Sequence, residues 1–211
     1  MAYRDLQAFI KALDNAGELK RIKVEVDSYL EITEITDRIS KQGGPALLFV
    51  KVKGSEYPVL TNAMGSDKRM ALALGVNDIE EVGALIDDFM DMSNYLGLMN
   101  KIKSLPMLSR LATVFPIKSS KKGACQEIID YDPDLTKLPI LHCWPKDGGR
   151  VVTLPLVFTK DPETDIQNVG MYRMQIFDKK LTGMHWHLHK DGKEIYDSYK
   201  KLGGRMPVSV A

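Results

Sequence analysis

Long apolar runs are missing from this sequence. The longest nearly apolar stretch, Val151 to Phe158, falls far short of the roughly 20 residues that a membrane-spanning helix needs. The opening Met-Ala-Tyr-Arg-Asp-Leu carries charge where a signal peptide would place its apolar region. No stable membrane insertion is expected, and a cytoplasmic protein is. Cysteine is scarce as well. Cys125 and Cys143 cannot build a disulfide framework and form no Cys-x-x-Cys pair, so a pair of small buried side chains in a reducing compartment is expected. Excess charge of either sign is absent too: 29 basic residues stand against 28 acidic ones, for a net charge of +1. That removes the usual electrostatic footprint of a nucleic-acid binder. Gly43-Gly44-Pro45-Ala46 lacks both the Gly-Lys-Ser/Thr of a P-loop and the three-glycine dinucleotide spacing. It reads as a helix-stopping turn.

What is present suits a folded protein. Of 211 residues, 44% are hydrophobic, enough to bury a core. Leu6, Phe9, Ile10 and Leu13 repeat at helical spacing before Gly17. Leu19 to Val26 reads as a strand, and Leu30, Ile32, Ile35 and Ile39 as a second helix. Ala46 to Val52 and Tyr57 to Leu60 follow as short strands about a turn at Gly54-Ser55. Helical spacing returns at Arg69 to Leu74 and at Ile79 to Met92, the latter with Asn77 or Asp78 as its N-cap. Residues 1–92 are therefore expected to form an α/β domain.

Residues 93–122 read as a connector. Pro106 interrupts any helix there, and six of the 11 methionines fall between Met64 and Met107, a composition suited to adaptable packing. From residue 123 the pattern turns to β, with strands expected over Ala124 to Asp130, Val151 to Thr159, Asn168 to Phe177 and Thr182 to His189. Polar turns separate the later ones at hairpin-like spacing. A sheet-rich domain, read as a barrel, is expected over 123–211, with a short amphipathic helix over Glu194 to Leu202. The alternation of Met206 to Ala211 reads as the opening of a strand, so the chain is expected to be the front part of a longer protein.

The stretch from Gln167 to Asp191 concentrates the chemistry. It holds three of the four histidines, one of the two tryptophans, and Asn168 and Arg173. Residues two apart share a face of a strand, so His185, His187 and His189 are expected on one side, with Trp186 and Leu188 on the other. Imidazoles so spaced suit a metal on a β-scaffold, and equally a half-exposed polar face. By the same alternation, Asn168, Gly170, Tyr172 and Met174 oppose Val169, Met171, Arg173 and Gln175. An arginine on a buried strand needs a partner: a ligand phosphate, a substrate carboxylate or an ordinary salt bridge would each serve. Gly170 leaves room for a flat ring or a phosphate to approach the backbone.

Asn168-Val-Gly-Met-Tyr-Arg173 followed by Thr182-Gly-Met-His-Trp-His187 resembles the signature of UbiD-type decarboxylases. Asp5-Leu-Gln-Ala-Phe-Ile with Gly17-Glu-Leu, Glu31-Ile-Thr-Glu-Ile-Thr-Asp-Arg, Gly43-Gly-Pro-Ala-Leu-Leu-Phe49 and Cys143-Trp-Pro-Lys-Asp-Gly-Gly149 agree with it. The resemblance implies an α+β protein: an N-terminal α/β domain followed by a split β-barrel of flavin-reductase type, here cut short. It implies reversible decarboxylation of an aromatic or α,β-unsaturated carboxylic acid. The cofactor would be prenylated FMN, supplied by a flavin prenyltransferase and held with a divalent metal, usually Mn2+, and a K+ ion. A homo-oligomer is implied.

By that resemblance Asn168 is a metal ligand. Met171, Tyr172, Arg173, His185, Trp186 and His187 contact the cofactor, with Lys190 and Asp191 nearer its phosphate. Arg173 is also the catalytic arginine that orients the substrate carboxylate. The acidic residues that complete such a site, a metal-binding Glu and a proton-relay Glu among them, lie downstream of this sequence, so the isolated chain is expected to be inactive. Two other readings stand beside this one. The chain could be a non-catalytic binding or assembly subunit that completes its barrel with a partner, or a metal-binding hairpin without flavin.

Overall fold

A computed structural model describes residues 3–91 and 121–211. All but the last two residues of the expected connector lie outside the described residues. The chain divides into two compact units that do not follow chain order. One comprises Met1–Leu19 and Ala63–Tyr131, the other Lys20–Asn62 and Asp132–Ala211.

In the first unit, α1 (Leu6–Asn15) starts where Asp5 accepts the Ala8 N–H at 2.8 Å, and it buries Phe9, Ile10 and Leu13. Gly17, at φ +69°, lets the chain leave the helix while Glu18 N–H returns to the Leu13 carbonyl. Ser66 caps α3 (Asp67–Leu74), and Gly75 ends it in the left-handed conformation. Tyr3 ties the two helices by donating its hydroxyl to the Leu72 carbonyl at 2.8 Å. In α4 (Glu80–Asp91), Asp78 accepts the Glu80 N–H.

In the second unit, β1 (Leu19–Val26), β2 (Ala46–Val52) and β3 (Val59–Thr61) form one sheet in that order, with β2 and β3 antiparallel. Helix α2 (Glu31–Lys41) covers it, and Val26, Ile32, Leu47, Phe49 and Val52 make a buried core with Leu141 packed against them. Glutamates in the first turn of α2 and Arg38 and Lys41 in its last turn complement the helix dipole. Thr36 and Thr61 link helix to sheet through their hydroxyls at 2.8 Å. The Gly43–Pro45 segment is a turn: Gly44 N–H returns to Ile39, and Asn62 Nδ2 donates to the Gly44 and Pro45 carbonyls, each at 3.0 Å.

The rest of this unit holds two more three-stranded sheets, β4–β7–β8 and β6–β5–β9. Their strands are β4 (Val151–Val152), β5 (Leu156–Lys160), β6 (Gln167–Met171), β7 (Met174–Ile176), β8 (Thr182–Met184) and β9 (Ser209–Val210). Helix α5 (Asp191–Lys201) precedes β9. The protein is thus mixed α+β, and none of its small sheets closes into a barrel among the described residues.

Four sequence expectations are corrected here. Ala124 to Asp130 is not a strand: residues Ala124–Gln126 form a 3-10 turn, in which Gln126 Oε1 accepts the Gly123 N–H, and Ile128 lies exposed. The strand expected over Val151 to Thr159 breaks into β4 and β5 at buried Pro155, which has no N–H to give a ladder. The strand expected over Asn168 to Phe177 breaks at Tyr172–Arg173, where the chain leaves one sheet for the other. The two cysteines are not a buried pair: Cys125, in the 3-10 turn, is exposed and Cys143 half-buried.

Candidate functional site

The hairpin forms as the sequence suggests. Strands β7 and β8 pair Met174 with Met184, Gln175 with Gly183 and Ile176 with Thr182. Asp178 Oδ1 accepts the N–H groups of Lys180 and Leu181 at 2.9 and 2.8 Å, closing the turn. His185 N–H donates to the Arg173 carbonyl at 2.9 Å, which carries the pairing one step further and sets these two residues opposite each other.

Arg173, Gln175, Phe177 and His185 line a cleft of about 310 Å³, whose other wall includes Asp147 and Gly148. That wall is the Cys143–Gly149 stretch. Trp144 N–H donates to Asp147 Oδ2 at 3.0 Å, and Gln175 Nε2 to the Gly148 carbonyl at 2.8 Å. A Cβ at Gly149, whose φ is +149°, would meet Gln175 Nε2 at 3.2 Å. The sequence placed Gln175 on the face of Arg173 and marked Cys143–Gly149 by its resemblance, but it assigned neither a role in the site.

Arg173 is exposed rather than buried, and its guanidinium has no ion-pair or hydrogen-bond partner among the described residues. The salt-bridge alternative therefore finds no carboxylate within reach there. Asn168 sits in β6, opposite Thr159 of β5, and its Nδ2 donates to Thr159 Oγ1 at 3.4 Å. Asn168 thus lies in the β6–β5–β9 sheet and Arg173 in the crossover that precedes β7, rather than on opposite faces of one continuous strand.

Tyr172 is 2% exposed. Its ring lies 4.7 Å from that of Trp186, and its hydroxyl accepts the Gly192 N–H at 2.9 Å. The flat ring that Gly170 admits is this one: a Cβ at Gly170 would meet Tyr172 Cε2 at 2.5 Å. Lys190 Nζ sits 5.3 Å above the same ring and donates to the Met171 carbonyl at 3.4 Å. Asp191, exposed, opens α5.

The shared face of three histidines is corrected. Strand β8 ends at Met184, and the chain runs irregularly through His185–His187 into a turn at Leu188–His189. The His185 and His187 rings lie 4.6 Å apart. No group of three or more His, Cys, Asp or Glu among the described residues is placed to hold a metal.

Comparison with known proteins bears on this arrangement. Residues 10–89 match the 3-octaprenyl-4-hydroxybenzoate carboxy-lyase N-terminal domain, and residues 117–211 the Rift-related domain of the same carboxy-lyase. The chain belongs to the UbiD family. An uncharacterized protein of Aquifex aeolicus is 48% identical over 99% of this chain, which spans 43% of that relative. The fold is similar to that of the UbiD-class enzyme HmfF from Pelotomaculum thermopropionicum in an evolved dimeric form in complex with prFMN. The TM-score is 0.76 at 23% identity, over 99% of this chain and 44% of that one. It is also similar to the closed form of vanillic acid decarboxylase from Sedimentibacter hydroxybenzoicus (TM-score 0.76, 28% identity, 99% and 42%). The chain therefore spans less than half the length of these UbiD-class proteins. The whole hairpin, its cleft and the 172–173 crossover fall within the Rift-related match. No described helix is long and apolar enough to cross a membrane.

Proposed function

We propose that this chain supplies the N-terminal part of a cytoplasmic carboxy-lyase. The enzyme would decarboxylate an aromatic or α,β-unsaturated carboxylic acid reversibly, using prenylated FMN made by a flavin prenyltransferase. The observation that carries the reading is Arg173: a guanidinium without a partner among the described residues, on the wall of a cleft and within the part of the chain that matches a carboxy-lyase domain. Family membership and the prFMN held by HmfF support it.

The residues present fit one side of a flavin. The cleft offers an aromatic ring in Phe177, imidazole in His185 and a cation in Arg173. In this reading Met171, Trp186 and His187 complete the cofactor side with buried Tyr172 behind them, and Lys190 and Asp191 at the start of α5 lie toward its phosphate, where a helix N-terminus favours an anion. Bound prenylated FMN would act as an electron sink for the bond that releases carbon dioxide. Arg173 would hold the substrate carboxylate by paired N–H donors and fix its orientation. A group that returns a proton to the substrate carbon is also needed.

The metal fits less well. Asn168 would give one oxygen ligand to a divalent ion such as Mn2+, but the described residues bring no acidic or imidazole cluster beside it. No step is routed through Mn2+ or K+. In the complete protein, Asn168→Ala is expected to weaken metal binding by at least about tenfold, since even the loss of a group that only supports a ligand costs that much. Unaltered metal affinity, measured by titration, would refute that role.

The decisive test is retention of flavin. The complete protein, produced together with a flavin prenyltransferase, is expected to purify with flavin absorbance, and a colourless preparation would count against the reading. A second reading, an assembly subunit, is favoured by one feature. Cross-strand pairs Leu156–Met171 and Phe158–Val169 put apolar side chains on one face of the β5–β6 ladder, and Leu156, Met171 and Val169 are exposed. A partner or a second copy would cover them, in line with the homo-oligomer expected of the family. A well-behaved monomer by size-exclusion chromatography would undermine this second reading.

A further inference from the structure

We infer that Tyr172 is the strut that sets the spacing of the site, and so a positioning residue for it; this rests on the flavin reading above. Helix α5 begins without a side-chain cap of its own, since Lys190 at the N-cap position makes no capping hydrogen bond. The first N–H groups of a helix have no partners within it. One of them, that of Gly192, donates instead to the Tyr172 hydroxyl, which comes from the crossover between two sheets 20 residues earlier. A tyrosine thus does from a distance what an Asp or Ser at the N-cap does locally.

The ring is held on all sides that the structure shows. A Cβ at Gly170 would meet it at 2.5 Å, and a Cβ at Gly192 would lie 2.6 Å from its hydroxyl and 2.8 Å from Trp186. Trp186 packs on the ring at 4.7 Å, and Lys190 stands over it at 5.3 Å. Two glycines are therefore needed so that one tyrosine can occupy the gap between β6 and α5. Its neighbours Met171 and Arg173 are both exposed, and His185 lies opposite Arg173. Lys190 and Asp191 are carried by the helix that the hydroxyl pins. Side chains from β6, the hairpin and α5 thereby keep one relative placement, although no single strand or helix holds them together. At 2% exposure the Tyr172 side chain offers a ligand almost no surface. Its influence on the cofactor runs through these neighbours.

The test uses the complete protein, with FMN as the probe. Tyr172→Phe keeps the ring and deletes the acceptor. It is expected to weaken FMN binding about fivefold, the size of one net hydrogen bond, with a melting temperature within about 3 °C of wild type. Tyr172→Ala is expected to weaken binding further. A merely structural tyrosine would lower the melting temperature and leave the FMN affinity of the folded protein unchanged; that result overturns the inference. A second measurement needs no flavin. Gly170→Ala is expected to lower the melting temperature by about 5 °C in the wild type and by less than half as much in a Tyr172→Ala background, because the three atoms nearest the new Cβ all belong to the Tyr172 side chain. Equal losses in both backgrounds would show that the ring does not dictate the glycine. Absence of FMN binding by the wild type would sink the proposed function, while the Gly170 and Tyr172 cycle would still decide whether the strut exists.

Discussion

Arg69 and Arg173 are the same residue in opposite circumstances. Arg69, on α3, is 1% exposed and donates from Nη1 to Glu18 Oε2 at 2.9 Å, while its Nε and Nη2 are buried without partners among the described residues. Glu18 also pairs with the exposed Lys68 at 2.8 Å. Arg173 is exposed beside a cleft and, among the described residues, pairs with nothing. A charge taken out of water must be matched inside the fold, and removing its partner is costly. A charge left in water at a cleft stays available to a ligand. The first arginine holds two segments of its unit together. The second is open for an anion.

That contrast can be broken at three points. The largest effect is expected from Glu18→Ala, which leaves Arg69 buried with no ion pair and should cost about 3 kcal/mol in urea unfolding. A loss near zero would mean that Arg69 is not held by this pair. Acid should weaken the same unit. Hydrogen bonding to Lys68, aided by Arg69, lowers the Glu18 pKa against the opposing pull of burial. A carboxyl whose folded-state pKa is depressed stabilises above its unfolded value, about 4.3 for glutamate, and loses that contribution as pH falls through the folded value. The wild type is therefore expected to lose more stability than Glu18→Ala below pH of about 4.3, and parallel curves would remove Glu18 from the account. The smallest effect belongs to the other arginine. Arg173→Ala should change the free energy of unfolding by no more than about 0.5 kcal/mol, as for a surface residue outside any network.

The sequence made the outlines of both regions readable, but not the charges within them. Phe9, Ile10 and Leu13 fall on one helical face and Gly17 follows, so α1 could be drawn within two residues of its observed bounds. The hairpin from Met174 to Met184 was equally readable, because alternation and a Lys-Lys turn agree. Arg69 was invisible as a buried charge. In a helix its spacing is that of any polar residue, and only the approach of Glu18, 51 positions away, explains its burial. Arg173 was expected on a buried strand because alternation was carried straight through residues 168–177. The chain changes sheet at Tyr172–Arg173, so that alternation does not continue across them. The cause is tertiary: the Tyr172 ring turns in between Gly170 and Gly192. The irregular path of His185–His187 accompanies the packing of Trp186 on that ring.

Turnover by Arg173→Gln in the complete protein, loaded with prenylated flavin to wild-type occupancy, tests the central claim most directly. If the open arginine orients a substrate carboxylate, decarboxylation falls by about a hundredfold or more while flavin absorbance and melting temperature stay close to wild type. Turnover within about twofold of wild type at equal flavin loading, well inside the expected cost of misplacing a substrate, would contradict it.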